Sequence, residues 1–143
     1  HRVADQFGRI DVVVACARLR RPGQLEELAG ADLMGHYEVN VVGTFVVAQE
    51  AAAVMLRQEE GGVIVALADG GEPRPGELPY AASQAAIPAL MRSLDTECKA
   101  RNPRVRAACL IVPDPPPPPA DITAVVISRI DDLRGQGDLP AEG

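Results

Sequence analysis

Three short apolar runs decide the reading of this chain: Ile10-Asp11-Val12-Val13-Val14-Ala15-Cys16, Val63-Ile64-Val65-Ala66-Leu67, and Val105-Arg106-Ala107-Ala108-Cys109-Leu110-Ile111-Val112. Each is rich in β-branched residues and bounded by polar residues, glycine or proline, the pattern of strands buried on both faces of a parallel sheet. The stretches between them are long enough to cross over as helices. Over residues 32–57, Tyr37, Val41, Phe45, Ala48, Ala52 and Met55 or Leu56 recur at helical intervals. Gly43 interrupts that run at a cost of about 1 kcal/mol relative to Ala. Over residues 80–100, Ile87, Leu90, Met91, Leu94 and Cys98 share one face, and Ala81, Ala85 and Ala89 line another that is free to pack closely on a second helix. Pro88 lies inside this segment and cannot donate to the carbonyl of Gln84, which predicts a kink. Strands alternating with crossover helices give an α/β fold, with three central strands of a doubly wound parallel sheet and helices flanking them.

Outward from this core the chain is read as one domain over residues 1–143. It opens on a polar run with no clear first element, as a fragment whose N-terminal half is missing would. After the third strand the proline run over residues 113–119 is expected to be extended. It could dock on an SH3-like or WW-like module, but no basic residue flanks it, and a stiff spacer is the simpler reading. A short amphipathic helix is expected over 122–133 and a C-terminal loop over 134–143. With its partner strand missing, the run 10–16 exposes backbone groups and apolar side chains, so the chain alone is expected to be marginal in stability or to associate.

Composition narrows the function classes. The 143 residues are 47% hydrophobic, enough for a single core, and 14 basic against 20 acidic side chains give a net charge of −6. Without a basic patch, nucleic-acid binding is not expected. Cys16, Cys98 and Cys109 are odd in number and far apart, suiting buried thiols rather than a disulfide framework or zinc site. His1 and His36 have no ligand partners at metal spacing and read as surface side chains, so no metal is expected. No apolar stretch was expected to span a membrane and no signal peptide is evident, which points to a cytoplasmic setting.

Five segments, in order and spacing, resemble the short-chain dehydrogenases/reductases, a Rossmann-type family, over about residues 3–140. Phe7-Gly8-Arg9-Ile10-Asp11-Val12-Val13-Val14 resembles the entry to the family's fourth strand, and Glu38-Val39-Asn40-Val41-Val42-Gly43-Thr44 its V-N-x-x-G-T segment. Gly62-Val63-Ile64-Val65 resembles the fifth strand, Tyr80-Ala81-Ala82-Ser83-Gln84 the Y-x-x-x-K motif, and Arg104-Val105-Arg106-Ala107 through Val112-Pro113 the sixth strand. The resemblance implies an oxidoreductase using NAD(P)H. In such a site a Tyr gives a proton as hydride arrives, a Lys holds the nicotinamide ribose and lowers the Tyr pKa, a Ser polarises the substrate, and an Asn keeps a water and the helix geometry. Asn40 and Tyr80 match. The lysine position holds Gln84, and the single lysine of the chain, Lys99, lies nineteen residues beyond Tyr80. The serine position is held by Asp69, which together with Glu72-Pro73-Arg74-Pro75 resembles the pteridine-reductase branch, where Asp69 would relay a proton or bind the amino groups of a pterin.

Around the cofactor, the resemblance places Ala15, Ala17, Tyr80, Gln84 and Pro113 against the nucleotide. The family's N-N-A-G turn reads Ala15-Cys16-Ala17-Arg18 and its P-G turn reads Pro113-Asp114. A glycine-rich turn between a strand and a helix, which would anchor a pyrophosphate, does not occur in the sequence. Plainer readings stand beside these: Tyr80 as a packing residue, Asp69 as a turn residue next to two glycines, Asn40 as a solvent-exposed helix residue. Two functions therefore stand. One is a reductase of pterin or other carbonyl or imine small-molecule substrates, impaired or inactive as this isolated chain. The other is a non-catalytic partner subunit, or a decayed fragment, pairing as a homo- or hetero-oligomer through helices 32–57 and 80–100, as the family's helices do.

Overall fold

A computed structural model describes residues 2–137. His1 and the part of the expected C-terminal loop over 138–143 lie outside the described residues. Three parallel strands, β1 (Val12–Ala15), β2 (Gly62–Asp69) and β3 (Val105–Val112), form one sheet in the order β1-β2-β3. The register sets Val12 against Val63 and Gly62 against Val105, and brings Asp69 level with Val112.

Helices cover both faces, the doubly wound arrangement expected. Alternate residues of β2 go to opposite sides, which is why its sequence reads as an unbroken apolar run. Ile64, Ala66 and Ala68 pack with Ala48, Ala51, Ala52 and Met55 of α3 (Gly43–Met55) and with Ile87, Met91 and Cys98 of α4 (Leu78–Arg101). Val63 and Val65 meet Leu133 and Ile130 of α5 (Pro119–Gly137) on the other side. Alanines on α3, β2 and β3 let these layers approach closely, and Met55, Met91 and Ile64, all fully buried, fill the space between them. Gly61 closes the turn into β2 with φ +68°, and a Cβ there would lie 2.3 Å from the Arg104 carbonyl oxygen.

Several expectations are corrected. The chain begins with a short helix, α1 (Arg2–Phe7), where no element was expected. The first strand is shorter than residues 10–16, and with helix cover on one side it is half-buried, Val14 being exposed. The helix expected over 32–57 starts earlier, as α2 (Gly30–Tyr37), widens into a π-helical turn at Glu38–Val42, and continues as α3 to Met55. Its irregularity is this wide turn and not a break at Gly43. The inward face is His36, Asn40, Thr44, Ala48 and Ala52, with Phe45 turned to solvent. Steps of four residues drift by about 40° each on a 3.6-residue helix, and the extra residue of the wide turn takes up part of that drift.

This run, Gly30–Met55, is also long and apolar enough by length and composition to cross a membrane, contrary to the expectation that no stretch was; its inward residues pack on the sheet. α4 runs continuously through Pro88. The proline run bends after Pro113, and Pro119 opens α5, where its missing N–H costs nothing. Helix therefore also occupies residues 134–137, part of the stretch expected to be loop. His36 is buried rather than on the surface, and of the three free cysteines Cys98 is buried, Cys109 half-buried and Cys16 exposed.

Candidate functional site

In open α/β sheets ligands bind at the carboxyl ends of the strands, and the candidate residues converge there. β2 ends at Asp69, whose backbone N–H donates to Gln84 Oε1 at 2.9 Å. Tyr80, in the first turn of α4, donates its hydroxyl to Asp69 Oδ2 at 3.0 Å, while Asp69 Oδ1 accepts the Gly71 N–H at 3.2 Å. The phenol is buried, at 3% exposure. That burial pushes its pKa above the usual value, the hydrogen bond to the Asp69 carboxylate pushes the same way, and the charges of Arg18 and Arg20 pull against them. Tyr80 is thus a proton-bearing group at neutral pH.

Asn40 is fully buried, which settles it as an internal residue and not a solvent-exposed one. The wide turn carries it beneath the site, where its Oδ1 accepts the Leu19 N–H at 2.5 Å. Its Nδ2 donates to the Leu19 carbonyl at 2.9 Å and to Ser83 Oγ at 2.8 Å. Ser83 in turn donates to the Tyr80 carbonyl at 2.7 Å. Asn40 thereby ties the loop after β1 to the turn of α4 that carries Tyr80. One helical turn earlier, His36 Nε2 accepts the Arg21 N–H at 3.1 Å, and its Nδ1 lies 2.7 Å from the Asp32 carbonyl, so the imidazole holds the same loop.

Arg20, on that loop, lies with its guanidinium carbon 5.0 Å from the Tyr80 ring centre. It donates through Nε and Nη2 to Glu77 Oε1, at 3.0 and 2.6 Å, and its Nη1 is 3.8 Å from Asp69 Oδ2. A cavity of about 150 Å³ opens here, lined by Arg20, Asp69, Glu72, Glu77, Tyr80 and Gln84 among others. A larger hollow of about 810 Å³ lies beside it, between residues 22–28 and 74–78. Arg74, on the wall of the larger, forms an ion pair with Asp114, on the wall of the smaller.

The predicted residues Asn40, Asp69, Tyr80 and Gln84 are therefore joined in one network. Ala15 ends β1 and Pro113 follows β3, so both lie at the same end of the sheet by topology, with Ala17 exposed just beyond β1. The site also uses residues that the motifs did not mark: Leu19 through its backbone, Arg20, Glu77, Ser83 and His36. The signal for His36 was its position four residues before Asn40, on the same helical face; for Arg20 no local signal existed.

The donor set fits the nicotinamide end of a dinucleotide in part. Gln84 is 4% exposed and its Nε2 is buried without a hydrogen-bond partner, an unsatisfied donor from which a ribose hydroxyl oxygen would accept. Among the described residues no glycine-rich turn joins a strand to a helix to hold a pyrophosphate. No group of three or more His, Cys, Asp or Glu side chains among the described residues is placed to hold a metal ion.

Comparison with known proteins agrees with this fold. The sequence profile for short chain dehydrogenase matches residues 1–114. Oxidoreductase UcpA of Salmonella typhimurium is 31% identical over 110 residues, covering 76% of this chain and 42% of that protein. The 3-oxoacyl-(acyl-carrier-protein) reductase FabG of Thermotoga maritima is 33% identical over 107 residues, 74% of this chain and 44% of that one. The crystal structure of acetoin dehydrogenase from Enterobacter cloacae superposes with a TM-score of 0.70 at 27% identity, over 78% of this chain and 46% of that chain. The chain thus spans a little under half the length of the relatives it matches. Its three parallel strands and the profile match over most of its length place it in the short-chain dehydrogenase family of oxidoreductases.

Proposed function

We propose that the protein containing this chain is an NAD(P)H-dependent reductase in which Tyr80 gives a proton to the carbonyl oxygen or imine nitrogen of a pterin-class substrate. The observation that carries this reading is the hydrogen bond from Tyr80 Oη to Asp69 at the carboxyl end of β2. Bound reduced nicotinamide supplies the hydride. Burial keeps the phenol protonated until a substrate atom displaces Asp69 as its acceptor. The cavity walls carry Asp69, Glu72, Glu77 and Asp114, which accept hydrogen bonds and cannot donate them when ionised, so they suit a substrate with several N–H groups, as an aminopterin ring has. Gln84 orients Asp69 through its backbone but brings no charge, so turnover is slow. Three free cysteines fit a cytoplasmic setting.

The test is NADPH consumption by the full-length product with a dihydropterin. Turnover that Tyr80→Phe abolishes and Gln84→Lys increases supports the reading; no turnover with saturable NADPH binding removes the pterin substrate, and no binding of NADPH or NADH removes the reductase. A second reading, a non-catalytic subunit pairing with another chain, is favoured by the outward face of α3 and the wide turn before it. There Val39, Val42, Phe45, Val46 and Val47 are each 40–50% exposed. A homo- or hetero-oligomer through this face is compatible with either activity.

A further inference from the structure

We infer that Arg20 is the positioning cation of this site, acting through the Tyr80–Asp69 pair to set how readily the phenol gives up its proton. The inference rests on reading Tyr80 as the proton donor. When a phenol in this position loses its proton, the resulting anion faces the Asp69 carboxylate that had accepted its hydrogen bond, and Glu77 stands just before the same helix. Glu72 and Asp114 line the same cavity. Gln84, which accepts the Asp69 N–H from α4, is neutral. The cations that face Tyr80 come from the loop after β1, where Arg18 exerts the larger pull on it and Arg20 the smaller, and Arg20 is the one that lies over the ring and beside Asp69.

Its placement is built in. The backbone on either side of Arg20 is held from below by two buried side chains one turn apart on the same helical run: Asn40 binds both backbone groups of Leu19, and His36 accepts the N–H of Arg21. The guanidinium is then fixed from the side by Glu77, leaving Nη1 3.8 Å from Asp69 Oδ2, the oxygen that receives the Tyr80 hydroxyl. Arg20 therefore acts twice on one proton, over the face of the ring and on the oxygen that accepts it. Two buried polar residues committed to the two loop residues that flank Arg20 are more than a surface ion pair needs.

The test reads Tyr80 directly and needs no turnover. The chain has two tyrosines, so the experiment uses a Tyr37→Phe background, with ionisation followed by tyrosinate absorbance and, at neutral pH, by the carbon-13 shift of the labelled Tyr80 Cζ. Opposite charges within 4–6 Å shift a pKa by 1–3 units; with the Arg20 side chain 35% exposed, Arg20→Met is expected to raise the Tyr80 midpoint by about half a unit to one unit. Arg20→Lys restores at least half of that shift. Glu77→Gln, which removes the counter-charge and leaves the cation, moves the midpoint down. Arg20 as a mere tie for its loop predicts the same direction of change in Arg20→Met and Glu77→Gln, and that result overturns the inference, as does an unchanged midpoint and carbon shift in Arg20→Met. Opposite shifts with no hydride transfer by the full-length protein would leave Arg20's role standing and remove the reductase reading alone.

Discussion

Replacing Asn40 by Asp changes almost no shape and tests whether the amide's donors, rather than its bulk, hold the site together. The Oδ1 acceptor to the Leu19 N–H survives in Asn40→Asp, but the amide group that donates at 2.9 Å to the Leu19 carbonyl and at 2.8 Å to Ser83 Oγ becomes an oxygen facing two oxygens. Ser83 cannot turn to help without leaving the Tyr80 carbonyl. Two lost hydrogen bonds at about 1 kcal/mol each, together with an anion in a fully buried position, give an expected loss of about 3–4 kcal/mol at pH 7. Burial holds the introduced carboxyl's folded pKa above its unfolded value of about 3.9. The folded variant then keeps its proton longer than the unfolded chain, so the loss deepens as pH rises through this window and shrinks as pH falls. At about pH 5 the protonated form donates once again, and the deficit narrows to about 1–2 kcal/mol. Urea unfolding of both proteins at the two pH values measures this. A variant within about 1 kcal/mol of the parent at pH 7, or one with the same deficit at both pH values, would refute the assignment of Asn40 as a donor hub.

Three further perturbations follow from the packing. Asp95 accepts from Arg106 Nε at 3.0 Å and from the Ala107 N–H at 2.9 Å, so Asp95→Ala is expected to cost about 2–4 kcal/mol in chemical denaturation, and Asp95→Asn, which keeps one acceptor oxygen, distinctly less. Burial raises the Cys109 thiol to about 11 from an ordinary 9.0; the unfolded chain loses that proton first, so stability is intact below pH 9, falls between pH 9 and 11, and falls less in Cys109→Ala, as melts across that range will show. Phe45→Glu with Val46→Glu leaves the core untouched, since both residues are exposed, and is expected to turn any oligomer into monomer by sedimentation; an unchanged assembly would remove this face as the interface.

The strands were legible because β2 and β3 are covered on both sides, so period-two alternation disappears and a plain apolar run remains. β1 was overread for the same reason: its run of valines looks like a two-faced strand, but it lies at the edge of the sheet, and α5 packs on β2 and β3. The face of α3 was misread at Phe45, because a 3.6-residue template carries no allowance for the wide turn at Glu38–Val42. Asn40, Asp69, Tyr80 and Gln84 could be named from their spacing, since each sits in a motif that fixes its neighbours. Arg20 and Glu77 could not, because their pairing crosses 57 residues of chain and depends on where Asn40 pins a loop of no regular structure. The added turn of α5 beyond Leu133 was missed because Arg134 and the two glycines after it look like a helix ending.

Pro88 gives α4 a mechanical character. Lacking an N–H, it leaves the Gln84 carbonyl without its helical rung, so the rod is softest between those two residues. On one side of the soft point, Tyr80, Ser83 and Gln84 are anchored to the strand ends and to Asn40; on the other, Met91 and Cys98 are locked in the core. The missing rung therefore falls at the joint between the part of α4 that carries the site and the part that builds the core, and the two parts are held by different contacts.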